Sequence, residues 1–150
     1  DLDGVRAVRD EIFAAGAVPL LIAARGGEAG GLPIQRTFAT ARSVEYDAIL
    51  IAGAPAPAPD ALPARDAKAG APAPDALPPV DPRVALLVDE AWRHAKAIGG
   101  WGAGTSVLEQ AGVVGTPGVV TADSGSAALA ELQPLLAVHR VWERFPASIA

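Results

Sequence analysis

The side chains able to do chemistry form a short roster: two histidines, His94 and His139, one tyrosine, Tyr46, and two hydroxyls beside a glycine-rich turn, with no cysteine anywhere. The turn is AIGGWGAGTS, Ala97 to Ser106, a short apolar stub that runs into glycines and then opens a helix. An α/β protein mounts a nucleophile on such a strand-to-helix bend, because a strained turn presents the side chain at its apex. Four of the eight residues from Gly99 to Ser106 are glycine, so the backbone is free to adopt positive φ and to be approached closely. The apex offers only Gly102 and Ala103, neither of which is a nucleophile, so the elbow is vacant and no catalytic residue is expected here. Gly99 and Gly104 have the separation of a phosphate-binding loop, but Thr105 stands where its lysine must be, and Gly102-Ala103-Gly104 fails the dinucleotide pattern too. Ser106 lies three residues before Glu109, the spacing of a capping box, which explains it without a reaction.

The histidines have no chemical partner legible in sequence. His94 follows Glu90 by four, beside a matching Asp89–Arg93 pair, as on a solvated or interfacial helix face. His139 falls on the apolar stripe of the last helix and reads as a hydrogen-bonded core histidine. Two separate histidines without cysteine make no zinc site. Asp123 follows a strand, where open α/β sheets gather ligands, but it reads more simply as a helix cap. No cofactor and no metal are expected in this segment.

Positioning these groups falls to a chain of 150 residues, enough for one domain with a central sheet. Residues 1–150 are read as that single domain. With 12 basic against 17 acidic residues and a net charge of −5, the chain lacks the cationic face that nucleic acid requires. Its longest aliphatic stretch, Leu20 to Ala24, is far short of the roughly 20 residues of a membrane span. Absent cysteine is most natural in a reducing compartment, and a cytoplasmic location is expected. Absent methionine leaves no initiator, so the chain is expected to be a processed product or part of a longer polypeptide.

Along the chain, Asp3 to Ala15 reads as an amphipathic helix stopped by Gly16, and Val18 to Ala23 as a strand buried on both faces. A short extended piece follows at Leu32 to Phe38, and Asp47 to Ala52 is the clearest buried strand. From Ala54 to Pro82 the composition turns to Ala, Pro, Asp and Gly, with the octet APAPDALP at Ala56 to Pro63 and again at Ala71 to Pro78. This low-complexity segment reads as an elongated loop. Asp81-Pro82 then starts a helix whose apolar face, Val84, Leu87, Val88, Ala91 and Ala95, runs to Lys96. Ile98 to Trp101 is a short strand, Val107 to Ala111 a helix ended by Gly112, and Gly118 to Thr121 another strand. The last helix, capped by Asp123, Ser124 or Ser126, carries Leu132, Leu135, Leu136, His139 and Trp142 as its stripe. Pro134 either kinks it or begins its main segment with Gln133 as cap, and Pro146 closes it.

Four stretches in the same order, LPIQRTFATARSVEYDAILIAG (Leu32 to Gly53), AWRHAKAIGGWG (Ala91 to Gly102), GVVTAD (Gly118 to Asp123) and AVHRVWERFP (Ala137 to Pro146), resemble the C-terminal domain of large-subunit haem catalases. The resemblance covers nearly all of the chain except the Ala/Pro segment. That domain is related to class I glutamine amidotransferase-like proteins and intracellular proteases, whose elbow carries Cys followed by His. Gly102 and Ala103 stand at those two positions here. The resemblance implies an α/β, flavodoxin-like three-layer sandwich with a mostly parallel sheet. Its central first strand is missing from residues 1–150 and is expected upstream of Asp1.

The resemblance further implies a noncatalytic domain attached to a catalase core in the same polypeptide, supporting stability, assembly or substrate access. It allows a chaperone-like activity as well. The parent would be a homotetrameric haem enzyme that decomposes hydrogen peroxide, with its distal His and Asn and proximal Tyr outside these residues. Tyr46, in the lead-in to a strand, does not match a haem ligand. Two rivals come from other classes. One is a stand-alone hydrolase using Ser106 or Thr105; the other is a binding module using the vacated pocket or the APAPDALP pair.

Overall fold

A computed structural model describes residues 1–53 and 79–145; the APAPDALP repeat and Pro146 lie outside the described residues. Asp1 caps the first helix, its carboxylate accepting from the Gly4 amide at 2.9 Å, and α1 spans Leu2–Ala14. This start is slightly earlier than the expected Asp3, because Asp1 supplies the cap. Gly16, at φ +80°, turns the chain out of the helix.

The run after Gly16 departs from expectation. Only β1 (Ile22–Ala23) is strand, and Val18 is 82% exposed. A strand buried on both faces needs a long neighbour on each side. Among the described residues its sole paired neighbour is the two-residue β4 (Arg36–Thr37), parallel to β1, and the other side opens onto a groove. The extended piece at 32–38 is split. A bend at residues 24–26 leads into a small antiparallel hairpin, β2 (Gly27–Ala29) with β3 (Leu32–Ile34), before β4.

The main sheet is parallel in the order β5 (Ala48–Ile51), β6 (Ala97–Trp101), β7 (Val119–Ala122). Parallel pairing puts β6 in the middle, where alternation sorts its side chains to two covered faces. Ile98 packs with Leu87, Val88 and Ala91 of α2 (Pro82–Arg93) and with Leu108 of α3 (Gly104–Gln110). Ala97 and Trp101 point the other way, to Leu132 and Leu129 of α4 (Gly125–Ala137) and Val8 of α1. The result is three layers, α1 and α4 on one face and α2 and α3 on the other.

Asp81 caps α2 as expected, but the helix ends at Arg93 rather than Lys96, because Ala95 takes φ +56° and turns the chain into β6. Ser124, not Asp123 or Ser126, caps α4, accepting from the Ala127 amide at 3.2 Å. Pro134 lies inside α4, so Gln133 caps no separate segment. Because α4 stops at Ala137, neither His139 nor Trp142 joins its stripe. His139 sits exposed at φ +63°, and Trp142 is 70% exposed in a 3₁₀ turn, Trp142–Arg144.

Candidate functional site

The glycine-rich stretch forms the corner at which β6 becomes α3. Trp101 ends the strand, Gly102 takes φ +54°, and Ala103 (φ −65°, ψ −15°) opens α3 with no side-chain cap. The Thr105 amide donates to the Gly102 carbonyl at 3.1 Å. Ser106 is therefore no N-cap: the helix begins earlier than the capping-box spacing implied and holds Ser106 within its first turn. The start of α3 fits tightly against β5. A methyl group at Gly104 would stand 2.1 Å from the Ile51 carbonyl oxygen, and one at Gly53 2.8 Å from the Ala103 amide nitrogen. At Gly102 a methyl would meet nothing, yet its φ still disfavours any side chain.

Gly102 and Ala103 are both exposed, so the apex faces out from the C-terminal edge of the sheet. Thr105 and Ser106 are half-buried behind it. Trp101 lies beneath, its indole N–H donating to the Asp1 carboxylate at 2.7 Å, and the Asp1 nitrogen donates to the Gly53 carbonyl at 3.2 Å. Asp123, exposed past the end of β7, shares this edge.

Both histidines lie at the opposite edge. His94 ends α2 and precedes β6, while His139 Nδ1 sits 3.9 Å from a carboxylate oxygen of Asp47, just before β5. A strand of this length separates them from the corner by roughly 13 Å. His139 is thus no core histidine; its helix ended too soon to carry it inward. His94 has a partner invisible in sequence, the hydroxyl of Ser43, 3.1 Å from its Nδ1. Ser43 is wholly buried in a 3₁₀ turn, Ser43–Glu45, so its hydroxyl anchors the turn to α2 and is closed to a substrate.

Two buried cations at the same edge were also unread. Lys96 is 2% exposed and donates to the carbonyls of Ser43 and Tyr46. Burial, and then the nearby Arg140 charge, hold its pKa below the ordinary lysine value. Arg144 is 7% exposed and gathers three carbonyls, donating to Pro117 at 2.7 Å, Trp92 at 2.9 Å and Lys96 at 2.7 Å. Burial brings its pKa down to about 10, which leaves it charged at neutral pH. Its guanidinium lies 5.7 Å from the centre of the Trp92 ring, and the Trp92 N–H donates to Thr116 at 2.9 Å. The only signal in the sequence is the placing of Arg144 among Val141, Trp142 and Phe145, and the early end of α4 that turns it inward was not legible there.

Among the described residues, no group of three or more His, Asp or Glu side chains is placed to hold a metal ion, and no helix is long and apolar enough to cross a membrane.

The parallel sheet, the two helical layers and the strand-to-helix corner define a flavodoxin-like α/β sandwich. Residues 1–146 match the model of the C-terminal domain found in long catalases, and the chain belongs to that family. It is 31% identical over 134 residues to Catalase HPII of Mycobacterium avium, an alignment covering 79% of this chain and 17% of that protein. The chain thus spans less than a fifth of the length of this curated relative.

Proposed function

We propose that this chain is a noncatalytic C-terminal domain of a large-subunit catalase, joined to a catalase core in the same polypeptide and supporting its stability, assembly or substrate access. The observation that carries this reading is the corner itself. It has the shape that presents a nucleophile, and its apex residues are Gly102 and Ala103, the positions at which the resemblance implies Cys and His in related proteins. In this reading the parent is a cytoplasmic, haem-containing homotetramer that decomposes hydrogen peroxide. A chaperone-like contribution would be a further duty of the domain.

Haem has no fit among the described residues. The Tyr46 hydroxyl is 3.5 Å from the Glu45 carboxylate, and burial raises its pKa, opposite to what a phenolate ligand requires. Both histidines are exposed at the sheet's edge. No step of peroxide chemistry is assigned to this chain.

The test is to purify the natural polypeptide and a form lacking residues 1–150, then measure absorbance at the Soret band, mass and turnover per haem. We expect a haem protein whose turnover per haem survives the truncation while thermal tolerance or assembly falls. Turnover per haem lost at full haem loading would overturn the noncatalytic role. A colourless protein whose hydrolytic activity disappears in Ser106→Ala or Thr105→Ala would favour the hydrolase instead.

A further inference from the structure

Past the end of α4 at Ala137 the chain is fixed from inside while its large apolar side chains are left outside. The Val141 amide donates to the Ala95 carbonyl at 2.7 Å, and the Val141 side chain is buried. Arg144 is held by its three carbonyls, and the Phe145 ring meets the Trp92 ring edge-on with centres 5.7 Å apart. Between these anchors the 3₁₀ turn puts its first side chain outward. Trp142 stands largely in solvent, and its indole N–H finds no acceptor among the described residues. Leu136, Val138 and Phe145 are exposed in the same stretch. One exposed apolar residue is ordinary, but four within ten residues, on backbone already rigid, mark a contact surface. A tryptophan on a preformed turn gives up little freedom when a partner covers it, which is why such residues anchor interfaces.

We propose that Trp142 is the anchor by which this domain docks on the remainder of its own polypeptide. The inference rests on the reading that the chain is one domain of a longer protein, and it names the surface that this reading leaves unassigned. Two observations select that occupant over a separate partner. The alignment covers 17% of the relative, so more than four fifths of that protein lies outside the matched region. A surface tethered to so much polypeptide meets it at an effective concentration on the order of millimolar, with no need of a free partner. The charges beside Trp142 are also of both signs: Arg140 and Glu143 flank it in the chain, and Asp47 lies 3.9 Å from His139. Such a mixture sets up no single-sign field to steer a distant molecule, and suits a contact between parts already joined. The receiving surface is an apolar pocket the size of an indole, with a carbonyl or carboxylate to accept its N–H. Arg144 is then a positioning residue that fixes the turn and touches no partner.

The test uses the natural polypeptide, assembled from light and heavy isotope-labelled chains, with photoreactive benzoylphenylalanine in place of Trp142. Cross-linked peptides are mapped by mass spectrometry. Position 142 captures peptides outside residues 1–150 of its own copy, whereas the same group in place of Leu86, an exposed apolar residue of α2, captures none of them. A second variant does not depend on the label. Trp142→Ala speeds amide hydrogen exchange in the captured peptides at least ~10-fold while β6 stays protected, and Trp142→Phe recovers part of that protection. The substitution is at an exposed side chain, so the fold of the domain survives it.

Cross-links that join light to heavy chains make a second copy the occupant and overturn the proposal. Cross-links to a different protein, cross-links confined to residues 1–150, a position 142 that captures nothing, or exchange unmoved by Trp142→Ala overturn it equally. None of these readouts involves turnover. A long parent without haem therefore sinks the catalase reading and leaves the docking to be decided by its cross-links, while a natural polypeptide shown by intact mass to be no longer than this chain overturns both.

Discussion

Replacing Arg144 by Ala removes one side chain and strands three carbonyls. Each hydrogen bond from the guanidinium to Pro117, Trp92 and Lys96 contributes about 1.5–3 kcal/mol as a bond from a charged donor. Against this stands the cost of burying the cation. Burial, which brings its pKa down from the ordinary arginine value to about 10, corresponds to about 3 kcal/mol at the standard conversion. The difference, with the loss of packing on Trp92, gives a destabilisation of about 3–5 kcal/mol, the range seen when one member of a buried charged network is deleted. In a domain of this size that lowers the melting temperature by roughly 6–20 °C. Urea titration followed by tryptophan fluorescence checks it, with a lower midpoint at unchanged slope as the expected signature. Arg144→Lys keeps the charge but cannot fork to three acceptors, so it recovers less than half of the loss. A midpoint shift worth under about 1 kcal/mol in Arg144→Ala, or full recovery by lysine, would refute the reasoning.

Three further outcomes follow from the same geometry. Gly104→Ala, whose methyl would stand 2.1 Å from the Ile51 carbonyl oxygen, abolishes soluble expression or costs more than about 3 kcal/mol, whereas Gly102→Ala costs about 1 kcal/mol; melting curves of the two variants check the contrast. Leu132→Ala, at a fully buried position of α4, costs about 2–5 kcal/mol by chemical denaturation. Lys96 sets an alkaline dependence. Its folded pKa lies below the 10.5 of the unfolded chain, so between those two values the unfolded state binds more protons and stability rises with pH. Below the folded value the burial cost is fully present and constant. Lys96→Met removes that rise from the stability-versus-pH curve, and an unchanged slope would show that Lys96 is not its source.

The parallel core was legible because its signals are local. DAILIA and AIGGW are apolar runs of strand length, and Asp81-Pro82 and Gly16 punctuate their helices as composition predicts. The corner was legible for the same reason, since four glycines crowd one bend. What escaped the sequence depends on partners far along the chain. Ser43 and His94 are 51 residues apart, and Arg144 reaches back 27 to 52 residues for its carbonyls. His139 was misplaced because helical periodicity was extended past Ala137, where a left-handed residue redirects the chain. Val18 to Leu20 failed as a buried strand because burial belongs to the assembled sheet, and their open side faces the groove.

The glycines of the corner divide into two kinds, and the division bears on what the corner is for. Gly99 and Gly100 stand on opposite faces of β6. A methyl on the first would press to 2.7 Å from a Leu132 methyl, and on the second to 2.9 Å from Leu108, so their absence of side chains sets how closely α4 and α3 approach the sheet. Gly53 and Gly104 do the same between the end of β5 and the start of α3. Gly53 and Gly104, where a methyl would meet backbone, are required by packing whatever stands at the apex, while at Gly99 and Gly100 it would meet the movable ends of leucine side chains. Gly102 alone is there for its φ, with open space around it. Under the proposed noncatalytic reading, a bend held in place by its neighbours persists without a reaction to perform and serves as a structural joint. Gly102→Ala should then lower stability modestly and leave every functional readout of the parent unchanged. A selective loss of peroxide turnover in that variant, at wild-type stability and haem loading, would mean the apex acts on the parent's chemistry after all.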